Sequence, residues 1–306
     1  MSGLPVGGAA GRNSAMGNLA RLVLLVCLGL YWPASAVHGK VAEKNPLKPT
    51  PIREFDIKTL ALLGREIYQH DQLAWVATDV LLAKVKPEDL KKDNAAGWIV
   101  DVSFPTKPMV RFLRSGKAGL EASYDVYFAP GEKPRLAVPE DRTLTLPHLG
   151  AAKAAATAQQ ELSSGRHQWC GGSPNLVVLE DPDGSGYLVY FLRAKPSATA
   201  VPVGGHYRMS VSADGSKIKQ VDRLFASCLT LDSLDVPAGA TPEVLVMSHV
   251  VSATPVETHV FLSLQEKLPF CVMAGEKAWY VDKGRIGLYD LKSGQATYAD
   301  EASPAK

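Results

Sequence analysis

The sequence predicts an α+β protein in which two main helices pack on antiparallel sheets. A long stripe of apolar residues at helical spacing follows Asp56, and a second helical pattern with many alanines follows Leu146. After each helical pattern come short runs with apolar residues at every second position, separated by turns of glycine, proline and aspartate. Helix followed by strands therefore occurs twice, which suggests two similar α+β units. One continuous sheet carrying both helices is the alternative.

The first helix is predicted over residues 57–85. Asp56 can cap its start, and Pro87 cannot continue it because proline lacks the backbone N–H that a helix interior needs. Its predicted buried stripe consists of Leu60, Leu63, Ile67, His70, Ala74, Ala77 and Leu81.

Three strands and a second helix are predicted next. The strands cover residues 98–104, 110–113 and 123–128. The helix covers residues 147–163, with proline in its first turn and Gly165 just beyond its end.

The second half of the chain is predicted to be mostly strand. Two of its turns, at 181–184 and 213–215, contain Asp-Gly, which is typical of hairpins. The predicted strands are 175–179, 187–192, 206–211, 218–225, 244–250, 258–264, 270–273, 279–281 and 285–289. Residues after Leu291 are small and polar and predict a frayed tail.

The N-terminus has the pattern of a cleavable secretory signal. Arg12 and Arg21 precede an apolar run over residues 22–32, and small residues follow up to Ala36, where cleavage is predicted. Met16 is an alternative start, and an uncleaved anchor is the alternative to cleavage. The run is shorter than the ~20 residues that a membrane-spanning helix needs. A periplasmic or secreted location is therefore expected.

Charge argues against nucleic acid as a partner. The chain has 33 basic and 31 acidic residues, and removal of residues 1–36 takes away two arginines and leaves a net charge of zero. Binding to a phosphate backbone needs clustered positive charge, which the mature chain lacks. The mature chain contains no second long apolar run, so no transmembrane segment is predicted after signal cleavage.

Three cysteines remain after cleavage. Export to an oxidising compartment favours a disulfide, and Cys170 with Cys228 is the predicted pair because both lie at the ends of strand-like runs. Cys271 lies inside an apolar run, where a buried thiol is common.

Two groups of residues are candidates for binding. His249, Glu257 and His259 flank a predicted turn at 254–255, and they could bind a metal together with Cys271 or His206. A purely structural role for these histidines is the alternative. The run His206, Tyr207 and Arg208 follows a pair of glycines, a pattern that indicates either a binding segment or a bulged strand entry.

Other motifs are incomplete. Glu66 and His70 share one helix face but lack a third metal ligand, and Asp181-x-Asp183 lacks the remaining ligands of a calcium loop. His167 with Cys170 lacks the orienting group of a cysteine hydrolase. No dinucleotide, P-loop, Cys-x-x-Cys or Gly-x-Ser-x-Gly motif occurs, so no catalytic residue, metal site or cofactor is predicted.

Several segments of the chain have a familiar pattern: Gly64 to Asp71, Ala74 to Asp79, Gly97-Trp98, Gly205 to Arg208 and Thr254-Pro255-x-Glu257. In these segments the chain resembles uncharacterised exported proteins of Gram-negative bacteria. The resemblance covers most of the mature chain. It implies a periplasmic location and brings no activity or catalytic residue with it.

These observations predict a signal peptide (1–36), an extended linker (37–56), an N-terminal unit (57–145), a C-terminal strand-rich unit (146–292) and a tail (293–306). The expected function is non-enzymatic binding of a protein or an envelope component. An envelope hydrolase using His249, Glu257 or His259, with or without a metal, is the alternative, and a carrier of a small ligand is a further one.

Overall fold

A computed structural model describes residues 51–232 and 243–298. It confirms the α+β class, with four helices among these residues: α1 (Ile57–Leu82), α2 (Pro87–Lys92), α3 (Leu146–Leu162) and α4 (Glu257–Glu266). The predicted signal peptide lies outside the described residues. None of the described helices is long and apolar enough to cross a membrane.

Fifteen strands in the described residues form four sheets. The N-terminal sheet contains β1 (Ala95–Asp101), β2 (Met109–Gly116), β3 (Gly119–Tyr127) and β4 (Arg135–Ala137) in that order. The middle sheet has the order β5 (Pro174–Glu180), β6 (Gly186–Arg193), β8 (Tyr207–Ser212) and β9 (Ile218–Arg223). A small pair joins β7 (Ala200–Val201) to β10 (Leu231–Asp232). The C-terminal sheet has the order β11 (Leu245–His249), β12 (Phe270–Ala274), β13 (Lys277–Asp282), β14 (Arg285–Asp290) and β15 (Gln295–Tyr298).

Helix α1 connects two cores. The side chain of Asp56 accepts hydrogen bonds from the N–H groups of Lys58 and Thr59, as the predicted cap requires. Leu63 and Ile67, in the first half, belong to the main core beneath the middle and C-terminal sheets. Its last turns pack on the N-terminal sheet instead. The predicted division of the chain at residue 145 stays a prediction.

The middle sheet is covered on both faces, because α3 lies on one face and the main core on the other. Strand β8 is therefore buried along nearly its whole length. Its odd-numbered side chains, Tyr207, Met209 and Val211, face α3. Alternation along a strand sends Arg208 and Ser210 to the opposite face, toward the main core.

The prediction of a strand over 258–264 is wrong. This segment belongs to helix α4, which connects the parallel strands β11 and β12. Seven of its ten residues are buried, and a short helix buried on nearly all sides has no apolar period that separates it from a strand. It crosses α1 closely at Gly64, where an added Cβ would lie 2.4 Å from Cβ of Val260.

The structure differs from the sequence predictions at both ends. Within the predicted tail, Gln295–Tyr298 forms β15 and pairs with β14. Within the predicted linker, Ile52 is buried and Arg53 binds Asp181, so this stretch is anchored by an ion pair and apolar contact. A turn of glycine and polar residues separates β14 from β15, which explains why the last strand looks like a tail in the sequence.

The predicted disulfide between Cys170 and Cys228 is confirmed. It joins the loop before β5 to the loop after β9, and Cys271 is a free, buried thiol. Closing a loop of 58 residues lowers the entropy of the unfolded chain. In the chain-entropy model this stabilises the fold by about 4 kcal/mol. Disulfides of this kind are typical of oxidising compartments.

Candidate functional site

Arg208 is the centre of a fully buried ion network. Its Nε and Nη2 atoms donate to Oδ2 of Asp222 at 3.0 and 2.7 Å, and its Nη1 donates to Oε1 of Glu257 at 2.6 Å. Burial alone would lower the pKa of Arg208, but the charges of Glu257 and Asp222 and the hydrogen bond to Asp222 raise it above the usual value. Arg208 therefore stays charged and holds β8, β9 and α4 together.

The segment before α1 closes this network. Nη2 of Arg208 also donates to the backbone carbonyl of Arg53, and its guanidinium lies 4.8 Å from the centre of the Phe55 ring. Arg53 itself forms two hydrogen bonds to Asp181, at 2.5 and 2.9 Å, and one to Asp183. The two aspartates that resemble part of a calcium loop are therefore both paired with one arginine.

Glu257 has one carboxylate oxygen, Oε2, without a hydrogen bond to any described residue. The nearby hydroxyl of Tyr190 is buried and also lacks a hydrogen bond of standard geometry. Burial, and next to it the charge of Glu257, raise the pKa of Tyr190 well above its usual value, so the phenol stays protonated. A protonated phenol beside a carboxylate oxygen is a donor near an acceptor, and it adds no charge to the network.

The hydrogen bonds of His206 fix its tautomer. Its Nδ1 accepts from the backbone N–H of Arg193 at 3.0 Å, and its Nε2 lies 2.6 Å from the carbonyl oxygen of Pro202. The proton is therefore on Nε2, and both ring nitrogens are used. Burial lowers the pKa of His206 to about 4, so the ring is neutral at pH 7.

His259 has its proton on the same ring atom. Its Nδ1 accepts from the N–H of Val256 at 3.1 Å, a contact that caps the start of α4. Nε2 therefore carries the proton, and no described residue accepts from it. Burial, followed by the charges of His249 and His206, lowers the pKa of His259 well below its usual value.

His249 ends β11 beside an open depression at the carboxyl ends of β11 and β12. The ring lies 4.9 Å from that of His259, and its Nε2 is 2.8 Å from Oγ of Ser252. Since Ser252 donates its own hydrogen to the carbonyl of Thr254 at 2.7 Å, His249 is the donor to Ser252. Burial lowers the pKa of His249 to about 4. The depression is lined by Ser248, His249, Val250, Ser252, Ala253, Met273 and Gly275.

The structure thus brings together five of the six predicted binding residues. His206, Arg208, His249, Glu257 and His259 lie in one buried layer between the middle sheet, β11 and α4. Tyr207 lies on the other face of β8, where its hydroxyl donates to the carbonyl of Gln168 at 2.8 Å. Of the five, only His249 also lines the depression.

The tautomers decide what this layer can bind. A metal needs a nitrogen lone pair, and the lone pairs of His206 and His259 already accept backbone N–H groups. Among the described residues, no group of three or more histidine, cysteine, aspartate or glutamate side chains is arranged to hold a metal ion. Of the three histidines, only His249 has a free lone pair, on Nδ1, and one free nitrogen does not make a shared metal site.

The Glu66 and His70 pair does not form a joint site either. No described residue makes a hydrogen bond to Nδ1 of His70, and the ring is buried so that its pKa is lowered to about 4. It borders a cavity of about 40 Å³ together with Trp98, Ala151 and Val177. This volume holds one or two water molecules and is far smaller than the pocket of a small-ligand carrier.

Sequence reasoning missed Arg53, Asp222 and Ser252. Arg53 lies in a segment that resembles a linker, and Asp222 lies in a strand among other charged residues. Ser252 became relevant only because the chain turns between β11 and α4. Alternation along β9, read together with that along β8, is the one signal that could have paired Asp222 with Arg208.

Comparison with known proteins gives no relative. No protein-family model matches the chain, and no curated protein or solved structure matches it.

Proposed function

We propose that the chain is an exported protein, periplasmic or secreted, that works by binding another protein or an envelope component. The proposal rests on one observation, which is that the acidic and histidine side chains that could take part in a reaction are bonded to other parts of the fold. Glu257 and Asp222 are paired with Arg208, and the lone pairs of His206 and His259 accept backbone N–H groups. The signal pattern and the disulfide support export.

The depression beside His249 is the proposed contact surface. It lies at the carboxyl ends of two parallel strands, next to the start of the helix that connects them, where ligands of α/β structures commonly bind. Its lining combines two serines and a neutral imidazole with Val250, Ala253 and Met273 and contains no charged side chain. Such a surface suits an uncharged segment of a partner protein.

The test is affinity capture of envelope proteins on the mature chain. Ala253 is exposed at the rim of the depression, so Ala253→Arg places a long charged side chain there without disturbing the core. Ala198→Arg, in an exposed loop elsewhere, is the matched control. The proposal requires one specific partner that binds wild type and Ala198→Arg and is lost with Ala253→Arg. Equal capture by all three proteins, or no specific partner, would reject it.

A serine hydrolase is the second candidate, and one observation favours it. Oγ of Ser252 lies 2.8 Å from Nε2 of His249 at an accessible site. The hydrogen-bond directions oppose it, because a general base must offer a lone pair to the serine, and here the serine donates to Thr254 instead. Labelling with a fluorophosphonate decides the matter. Stoichiometric labelling that is lost in Ser252→Ala would replace binding by hydrolysis as the leading function.

A further inference from the structure

The edge of the C-terminal sheet at β11 differs from the other sheet edges. The stretch Val244–Val251 contains no lysine, arginine, acid, proline or glycine, and its histidine, His249, is neutral at pH 7. Its register with β12 is regular over five residue pairs, without a bulge. Edge strands normally carry such interruptions, because a long uncharged edge pairs with other strands.

The other sheet edges each contain a charged residue, a proline or a bulge, or are very short. Strand β9 carries Lys219 and Arg223, and β5 begins with Pro174. Strand β1 contains a bulge between Ala95 and Gly97, β4 is only three residues long, β15 only four, and β7 and β10 two each. Within the described residues, β11 is thus the unprotected apolar edge.

The backbone of β11 has a second set of hydrogen-bonding groups available. The N–H of Leu245 donates to Pro269 on the β12 side, so alternate residues from Leu245 to His249 face β12. Val246 and Ser248 therefore direct their N–H and C=O groups away from the sheet, and Val250 directly follows the last residue of the strand. No described residue pairs with β11 on that side.

The side chains of Val246, Ser248 and Val250 lie on one face of the sheet and are exposed to solvent. Val246 is 60% exposed and Val250 is 70% exposed, and Ser248 lies between them. The pattern Val-x-Ser-x-Val is symmetric about Ser248. An antiparallel copy centred on Ser248 would place each Val246 opposite the Val250 of the other copy, on the same face of the sheet.

We propose that the chain forms a twofold dimer by antiparallel pairing of β11 with the β11 of a second copy. Ser248 lies at the twofold axis, the two five-stranded sheets become one sheet of ten strands, and each Val246 contacts the Val250 of the other copy on the same face. A second copy fits this edge because the edge is symmetric in residue type and carries no charge that would face its own copy. The proposal does not rest on the proposed function, since it needs no other protein. Ser248 and Val250 also line the depression, so the second copy and the proposed partner would use adjoining parts of one surface.

The first test is the mass of the purified mature chain over a wide concentration range, by sedimentation velocity. We expect wild type to shift from monomer to twice that mass as its concentration rises. Ser248→Lys should weaken association at least tenfold, because two ammonium groups would meet at the axis. Thr297→Lys, on β15 at the opposite edge of the same sheet, is the matched control and should dimerise like wild type.

A charge exchange tests the pairing itself. Ser248→Lys and Ser248→Glu should each be monomeric alone and should form a heterodimer when mixed. Ser248→Cys should form a covalent dimer under mild oxidation, whereas Thr297→Cys should not. Wild type that stays monomeric at all concentrations would overturn the proposal. So would dimers unaffected by Ser248→Lys, or a Ser248→Cys protein that cross-links only to a different envelope protein.

Discussion

The layer around Arg208 and the edge at β11 each reverse the usual rule that charged residues are exposed and apolar residues are buried. Arg208, Asp222 and Glu257 are charged and fully buried, whereas Val246 and Val250 are apolar and largely exposed. The charged residues in the interior are satisfied by one another, so they hold elements together. The exposed valines have no such partner among the described residues. The buried charged residues thus connect elements of the fold, whereas the two valines lie exposed at the edge of a sheet.

Substituting Arg208 should give the largest effect. Arg208→Met leaves Asp222 and Glu257 buried without their counter-ion and should lower the free energy of unfolding by about 3–5 kcal/mol. Urea unfolding followed by circular dichroism measures this. Arg166→Met breaks an exposed ion pair with Glu161 and should cost ~1 kcal/mol or less. Equal urea midpoints for the two variants would mean that the buried network does not hold the fold.

Acid should destabilise this layer and also the surroundings of His70. His70, His206 and His249 each have a pKa lowered to about 4 by burial, against an ordinary 6.5. Between these values the unfolded chain binds more protons than the folded one. The free energy of unfolding therefore falls as pH falls from about 6.5 to about 4, by at most ~3 kcal/mol for each histidine.

Asp71 opposes this trend, and so do Glu66 and Asp79, because burial raises the pKa of all three carboxyl groups. Burial raises the pKa of Asp71 to about 6, so the folded protein takes up a proton there first and gains stability as pH falls below 6. The loss of stability from the three histidines is larger than the gain from the buried carboxyl groups, so the melting temperature should be lower at pH 5 than at pH 7. His70→Gln should flatten this dependence. A melting temperature that does not change between pH 7 and pH 5 would contradict the burial of neutral histidines.

The crossing of α1 and α4 should give a smaller effect. Gly64→Ala places a Cβ 2.4 Å from Cβ of Val260 and 2.7 Å from the carbonyl of Glu257, so the helices must separate. We expect a loss of about 1–3 kcal/mol. In Gly150→Ala, on α3, the closest atom is the hydroxyl at the end of the Tyr187 side chain, which can move aside. That control should be nearly neutral, and a neutral Gly64→Ala would mean that the crossing tolerates expansion.

The edge of β11 should give the smallest effect on the monomer. Val246→Thr changes an exposed side chain and should alter the free energy of unfolding by less than ~0.5 kcal/mol. Met247→Thr changes the next side chain of the same strand, which is buried, and should cost clearly more. Thermal unfolding at low protein concentration compares them. A large loss for Val246→Thr would show that Val246 is covered within the monomer.

Much of the fold could be predicted from the sequence because its signals are local. Asp56 caps α1 through the next three residues, and the apolar stripe from Leu60 to Leu81 needs no information from elsewhere. Hairpin turns such as 181–184 are also encoded within four residues. The prediction failed at α4, where burial on nearly all sides removes the period that separates helix from strand.

The sequence by itself determined the α+β class, the helices α1 and α3 and most strands, and it correctly paired Cys170 with Cys228. Only the tertiary structure decided the roles of the candidate residues. Arg208 meets Asp222, 14 residues away, and Glu257, 49 residues away, and the tautomer of His206 depends on two backbone groups in separate segments. Whether a polar residue is a ligand or a structural contact depends on which groups share its surroundings. The chain brings those groups together only when it folds.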